Sequence, residues 1–204
     1  WTARPEIHKK LNEGPPSQWR PKAVQHTIIN ITESSYSEDI QKLIKKADDL
    51  NDKITLKKLV RENKGDADCF LRFTIKWNDV DGSYDENDLD AHCIEPNFEI
   101  YYGANTSPNT GGQLDIDITG PIQGVQAVEN IRWKDLNRME PGIYKLFVNQ
   151  FAYRGGDTGF RAIIEFTNKE NISQYFYDYQ RSLSRSGENV YVADVEYRNS
   201  KFTI

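Results

Sequence analysis

The chain has 204 residues, enough for one large domain or one domain with an appendage. Its 26 basic and 31 acidic residues leave a formal net charge of -5, without the basic excess that a nucleic-acid binder carries. No apolar run reaches the about 20 residues of a bilayer-crossing helix, and no signal peptide is visible, so neither nucleic acid nor a membrane is an expected partner.

Residues 1–24 are rich in Pro and Gly, with Pro5, Gly14-Pro15-Pro16 and Pro21, and hold no apolar period. This is the pattern of an extended arm or linker. Trp1 and Trp19 are its large apolar groups, suited to docking on the domain itself or on a neighbouring chain. Residues 25–65 read as a helical segment. Ile40, Leu43, Ile44, Ala47 and Leu50 recur at helical spacing over 35–51, and Ser35 with Glu38 has the spacing of a capping box. A second helical turn is expected around Leu56, Leu59 and Val60, stopping near Gly65. Such short apolar stripes must be buried on something, and the sheet that follows is the expected partner.

From Cys69 onward the period changes to two. Strands are predicted over 69–77, 88–95, 98–102, 113–118, 127–133, 143–152, 160–167, 172–178, 188–196 and 201–204. Turn signals such as Pro96-Asn97, Gly111-Gly112, Pro141-Gly142 and Gly155-Gly156 separate them. Many short strands with no room for helical crossovers predict a mostly β fold over 66–204, an antiparallel β-sandwich of jelly-roll-like kind. The 11 Tyr, 9 Phe and 4 Trp fit a pleated surface. Cys69 and Cys93 each alternate with apolar residues and read as small buried hydrophobes, a bond between them being the alternative.

Six carboxylates fall within the twelve residues 79–90: Asp79, Asp81, Asp85, Glu86, Asp88 and Asp90. Like charges this close repel, and a cation would relieve them. Asp88-Leu89-Asp90 and Asp115-Ile116-Asp117 each project two carboxylates to one strand face, and Glu129 precedes the apolar run Ile131-Arg132-Trp133. Brought together, Asp88, Asp90, Asp115, Asp117 and Glu129 would form an oxygen cage suited to Ca2+. The loop with Asp79, Asp81 and Asp85 is a second possible calcium cradle. It is not an EF-hand, since Tyr84 holds the position that needs Gly, and a solvated hairpin tip is the simpler account.

His92 shares the predicted face of Asp88 and Asp90, which admits a metal-dependent hydrolase as an alternative. The chain has three His residues, and His8 and His26 show no ligand spacing. Nucleophile and phosphate-loop motifs are missing from the sequence. Tyr175, Tyr177 and Tyr179 share one strand face, where a tyrosine row can stack on carbohydrate, form a protein interface or pack internally.

The stretch Asp88-Leu89-Asp90-Ala91-His92-Cys93-Ile94-Glu95-Pro96 resembles the opening of the YfaP-like β-sandwich domains, a bacterial family without assigned function. The likeness continues through Ile100-Tyr101-Tyr102, Gly111-Gly112-Gln113-Leu114-Asp115-Ile116-Asp117, Glu129-Asn130-Ile131-Arg132-Trp133 and Pro141-Gly142-Ile143-Tyr144-Lys145, covering about residues 69–167. Ala91 replaces a larger aliphatic residue of the family pattern, the loop 79–87 is longer and more acidic, and residues 1–65 have no counterpart. The resemblance implies a sandwich module attached to larger proteins, some with adhesion-type domains, with related sequences in phage genomes. It implies no enzyme activity. The expected function is therefore a non-catalytic structural or interaction module with a Ca2+ site, its partners being other proteins or host-protein domains. A carbohydrate-binding module is the alternative.

Overall fold

The period-two alternation of the sequence becomes strands with few shifts in their ends. In the computed structural model, residues 24–27, 56–78, 84–156, 159–169, 171–179 and 183–204 are described. Nearly all of the expected arm, and the whole helix expected over 35–51, lie outside these residues. So do Asp79 and Asp81.

Eleven strands follow one another among the described residues: β1 (Val24–Thr27), β2 (Leu71–Trp77), β3 (Asp88–Ile94), β4 (Glu99–Ile100), β5 (Gln113–Ile116), β6 (Ala127–Trp133), β7 (Gly142–Ala152), β8 (Phe160–Asn168), β9 (Asn171–Tyr179), β10 (Asn189–Arg198) and β11 (Lys201–Thr203). A helical stretch, α1, covers residues 56–62 between β1 and β2. The strands form two antiparallel sheets, ordered β1-β9-β8-β2-β6-β5 and β11-β10-β7-β3-β4. The protein is thus an antiparallel β-sandwich. Strand β1 was not anticipated: residues expected at the boundary of arm and helical segment pair with the edge of β9, Val24 opposite Phe176.

Alternation decides which side chains meet between the sheets. Leu71, Phe73, Ile75 and Trp77 of β2 point inward against Leu89, Ala91 and Cys93 of β3 and Tyr144, Leu146 and Val148 of β7, all in one buried cluster. A large apolar side chain contributes about 1.5–3 kcal/mol on full burial, so this cluster is the main source of stability. On the far side of the six-stranded sheet, Leu56 and Val60 of α1 pack with Ala67 on Ile116, Val128 and Ile163. The helix that the sequence predicts around Leu56 therefore does seal a sheet face, and Gly65 N–H closes it onto the Val60 carbonyl at 2.9 Å.

That outer face also buries polar groups. Arg72 lies 3.2 Å from Glu165, and Gln174 donates to the same carboxylate. Thr74 donates to Asn130 at 2.8 Å. Arg72 and Gln174 are fully buried, so Glu165 offsets a charge that would be costly alone. Both cysteines are free, and burial pushes the Cys69 thiol up to about 12.

Candidate functional site: a knitted loop end

Three connections meet at one end of the sandwich: β2–β3, β5–β6 and β7–β8. Asn78 ends β2 in the left-handed region, at φ 56°. Its side-chain amide donates to the carbonyls of Ile122 (3.0 Å) and Val125 (2.9 Å), and its oxygen accepts from the Asp85 N–H at 2.9 Å. Tyr84 donates its hydroxyl to the Pro121 carbonyl at 3.0 Å. Between those anchors, the Val125 N–H closes a tight turn on the Ile122 carbonyl, with Gly124 at φ 73°.

Asn87 works in the same way across a longer span. It donates to the Gly156 carbonyl at 3.1 Å, and its side-chain oxygen accepts from the Arg154 N–H at 2.7 Å. Its own carbonyl takes the Trp77 indole N–H at 2.9 Å. Asp85 bonds the Asn87 N–H, the local turn that Asp favours. A Cβ on Gly156 would sit 2.1 Å from the Asp85 carboxylate, so only glycine admits this approach.

Arg154 joins all three connections through one guanidinium. It donates to the carbonyls of Glu86 (3.0 Å) and Thr119 (2.9 Å) and to the Asp88 carboxylate (3.1 Å). Asp88 is almost wholly buried. Burial pushes its carboxyl up to about 6 and the charge of Asp117 adds to this, while Arg154 opposes both.

Glu129 lies beside this hub. It stands on the inward face of β6 with Ala127 and Ile131, but reaches the edge of the other sheet. It accepts the Ala91 N–H at 2.6 Å and the Ile118 N–H at 3.3 Å. One carboxyl therefore ties the open edge of β3 to the chain leaving β5. Its burial, and then the charge of Asp90, hold its pKa well above the usual carboxylate range.

The expected convergence of five carboxylates does not form. Asp88, Asp90, Asp117 and Glu129 lie at this end, and Asp115 does not. A bulge in β5 is the reason: Leu114 pairs with Ile131 and Ile116 with Asn130, so Asp115 is the extra residue. Leu114 enters the core between the sheets, whereas Ile116 packs under α1. Asp115 instead accepts from Asn130 (2.8 Å), Arg132 (3.3 Å) and the Asp66 N–H (2.8 Å). Asp117 is exposed. Among the described residues, no group of three or more His, Cys, Asp or Glu side chains is placed to hold a metal ion.

Two further expectations change. Asp90 and His92 do share a face, 4.0 Å apart. But His92 is buried, its ring stacked on Tyr101 at 5.4 Å and tilted against Phe147 at 4.8 Å, with Nδ1 3.2 Å from Glu99. Packed rings thus lie where a hydrolase would need an open pocket. Tyr175, Tyr177 and Tyr179 also share a face, but it is the inner one: Tyr177 and Tyr179 are buried in the core and Tyr175 packs against Phe166. They offer no stacking platform to a ligand.

Arg154, Asn78, Asn87 and Tyr84, the residues that build this end, were not singled out from the sequence. Their one sequence signal is the acidic run itself, which demands a counter-charge without saying where it lies.

The chain is thus an antiparallel β-sandwich whose loops at one end are bonded to one another. No family model matches the sequence, and neither a curated protein nor a solved structure matches the chain.

Proposed function

We propose that the chain is a non-catalytic structural or interaction module, a domain of a larger protein or assembly, and that its loop end meets the partner. One observation carries this reading. Ile122 and Val125 are 68% and 52% exposed on a turn that side-chain bonds from Asn78 and Tyr84 hold in place. Aliphatic side chains displayed on a fixed turn lose little entropy on binding, which favours an interface. Loops on a rigid sandwich are also where binding residues concentrate.

A protein is the partner class this surface suits. The acidic run beside the turn disfavours nucleic acid and anionic lipid. The resemblance to the YfaP-like domains points the same way, toward a module carried by larger proteins. Calcium is no part of the proposal, because Asp88, Asp115 and Glu129 are engaged by Arg154, Arg132 and backbone N–H groups.

The test compares hydrogen exchange in the isolated chain with exchange in its native assembly. Residues 119–126 exchange more slowly in the assembly, and Ile122→Ser with Val125→Ser abolishes the difference without lowering the melting temperature. Unchanged exchange at the turn, with protection only elsewhere, contradicts the proposal.

A further inference from the structure

A second surface lies on the outer face of the five-stranded sheet. A series of aromatic contacts leads from the sheet to solvent there. Phe147, fully buried, packs on His92, and His92 stacks on Tyr101 with ring planes 15° apart. Tyr101 meets Tyr102 at 90° and 5.3 Å, and Tyr102 meets Phe151 at 72° and 5.1 Å. Exposure rises along the series, to 40% at Tyr102 and 45% at Phe151. The outer rings therefore rest on a buried stack, and two of them meet nearly at right angles as a floor and a wall.

The turn that presents them is built for the purpose. Ala104 N–H bonds the Tyr101 carbonyl at 2.9 Å, and a Cβ on Gly103 would lie 2.6 Å from the Tyr101 ring. Glycine at 103 lets that ring fold back onto His92. Glu99, partly exposed, bonds the His92 ring and adds a carboxylate acceptor beside the platform.

We propose that Tyr101, Tyr102 and Phe151 form a binding site for a neutral oligosaccharide. A sugar ring has an apolar face of C–H groups and a rim of hydroxyls, which suits an exposed aromatic floor with a polar edge. The hydroxyls of Tyr101 and Tyr102 and the carboxylate of Glu99 supply that edge. Fixed rings spare the side-chain entropy that a mobile platform would lose. Charge narrows the class: the partly exposed Glu99 stands beside the platform and disfavours uronate, sialyl and sulfated glycans, while Lys145 of the same sheet face is paired with Asp194. This site is on the sheet face and stands or falls separately from the loop end.

Affinity electrophoresis of the full chain tests it, with soluble β-glucan, α-glucan, mannan and galactan in the gel, and alginate and heparin as anionic controls. At least one neutral polysaccharide retards the protein. Phe151→Ala and Tyr102→Ala each weaken that binding about tenfold or more, the effect of losing an aromatic contact of about 1.4 kcal/mol. Phe151→Tyr retains the binding, and an unchanged melting temperature in Phe151→Ala and Tyr102→Ala shows that the platform, rather than the fold, has been altered. Three results overturn the proposal: no retardation by any neutral polysaccharide, retardation by alginate or heparin alone, or unchanged binding in folded Phe151→Ala. Self-association abolished by Phe151→Ala, with no sugar binding, would assign the face to a second copy of the chain.

Discussion

Glu129 shows how one carboxyl can act as a fastener. It has no cationic partner among its hydrogen bonds; it accepts the N–H groups of Ala91, on the edge of β3, and of Ile118, on the chain leaving β5. Gln in its place keeps one acceptor and turns an NH2 group toward the other donor. Where Glu129 is ionised, Glu129→Gln is therefore expected to cost about 1–3 kcal/mol, the penalty for leaving a buried donor unsatisfied, and the cost shrinks as pH falls and the carboxyl is protonated. Urea unfolding measures it, and a change within about 0.5 kcal/mol would show that the two bonds contribute little. Asp88 gives a pH signature. Its carboxyl is raised to about 6 in the folded protein from an ordinary 3.8, so the fold binds that proton more tightly than the unfolded chain does. The stability it contributes is complete on the acid side and is lost as pH rises through that interval. Wild-type stability minus that of Asp88→Asn should then fall between those two values. A flat difference would mean that Asp88 is not desolvated as described.

At the scale of elements, one bulge redirects a pair of side chains. A strict period of two places Asp115 and Asp117 on one face, and that is how the sequence reads. The extra residue in β5 sends Asp115 to Arg132 and brings the charge of Asp117 near Asp88. Bulges have no simple sequence signal, so alternation alone cannot place Asp115. The tyrosines of β9 teach a related point: periodicity shows that Tyr175, Tyr177 and Tyr179 share a face, but not whether that face looks inward. Arg154 was illegible because its partners Glu86, Asp88 and Thr119 are distant in sequence and joined only by folding. Arg154→Met removes three bonds at once. It is expected to cost about 1–2 kcal/mol, since the arginine is partly exposed, and to speed proteolytic cleavage across 117–126. Wild-type cleavage rates in that variant would show the three loops are held by other means. Glu165→Ala acts on the outer face of the six-stranded sheet. It strands the buried Arg72 and is expected to cost about 3–5 kcal/mol in a denaturant melt, far more than a surface ion pair.

For the whole molecule, the strands and their pairing class were legible because alternation is a local property. Leu71, Phe73, Ile75 and Trp77 announce an inward face in seven residues, and the structure buries all four. Function was less legible, because the groups that build the loop end are brought together by contacts of long sequence separation. The acidic run looked like a demand for a cation. Two carboxylates of the run are engaged from within the protein, Asp88 by Arg154 and Asp85 by a backbone N–H of its own turn. Protein bonds from Asn78, Asn87, Tyr84, Glu129 and Arg154 hold the loop end as a fixed surface. Hydrogen exchange of the Asn87, Ala91, Ile118, Val125 and Arg154 amides, followed in chelator and at saturating Ca2+, tests it directly. Slow and equal exchange is expected in both conditions; fast exchange in chelator that Ca2+ slows would show instead that a cation holds the loops.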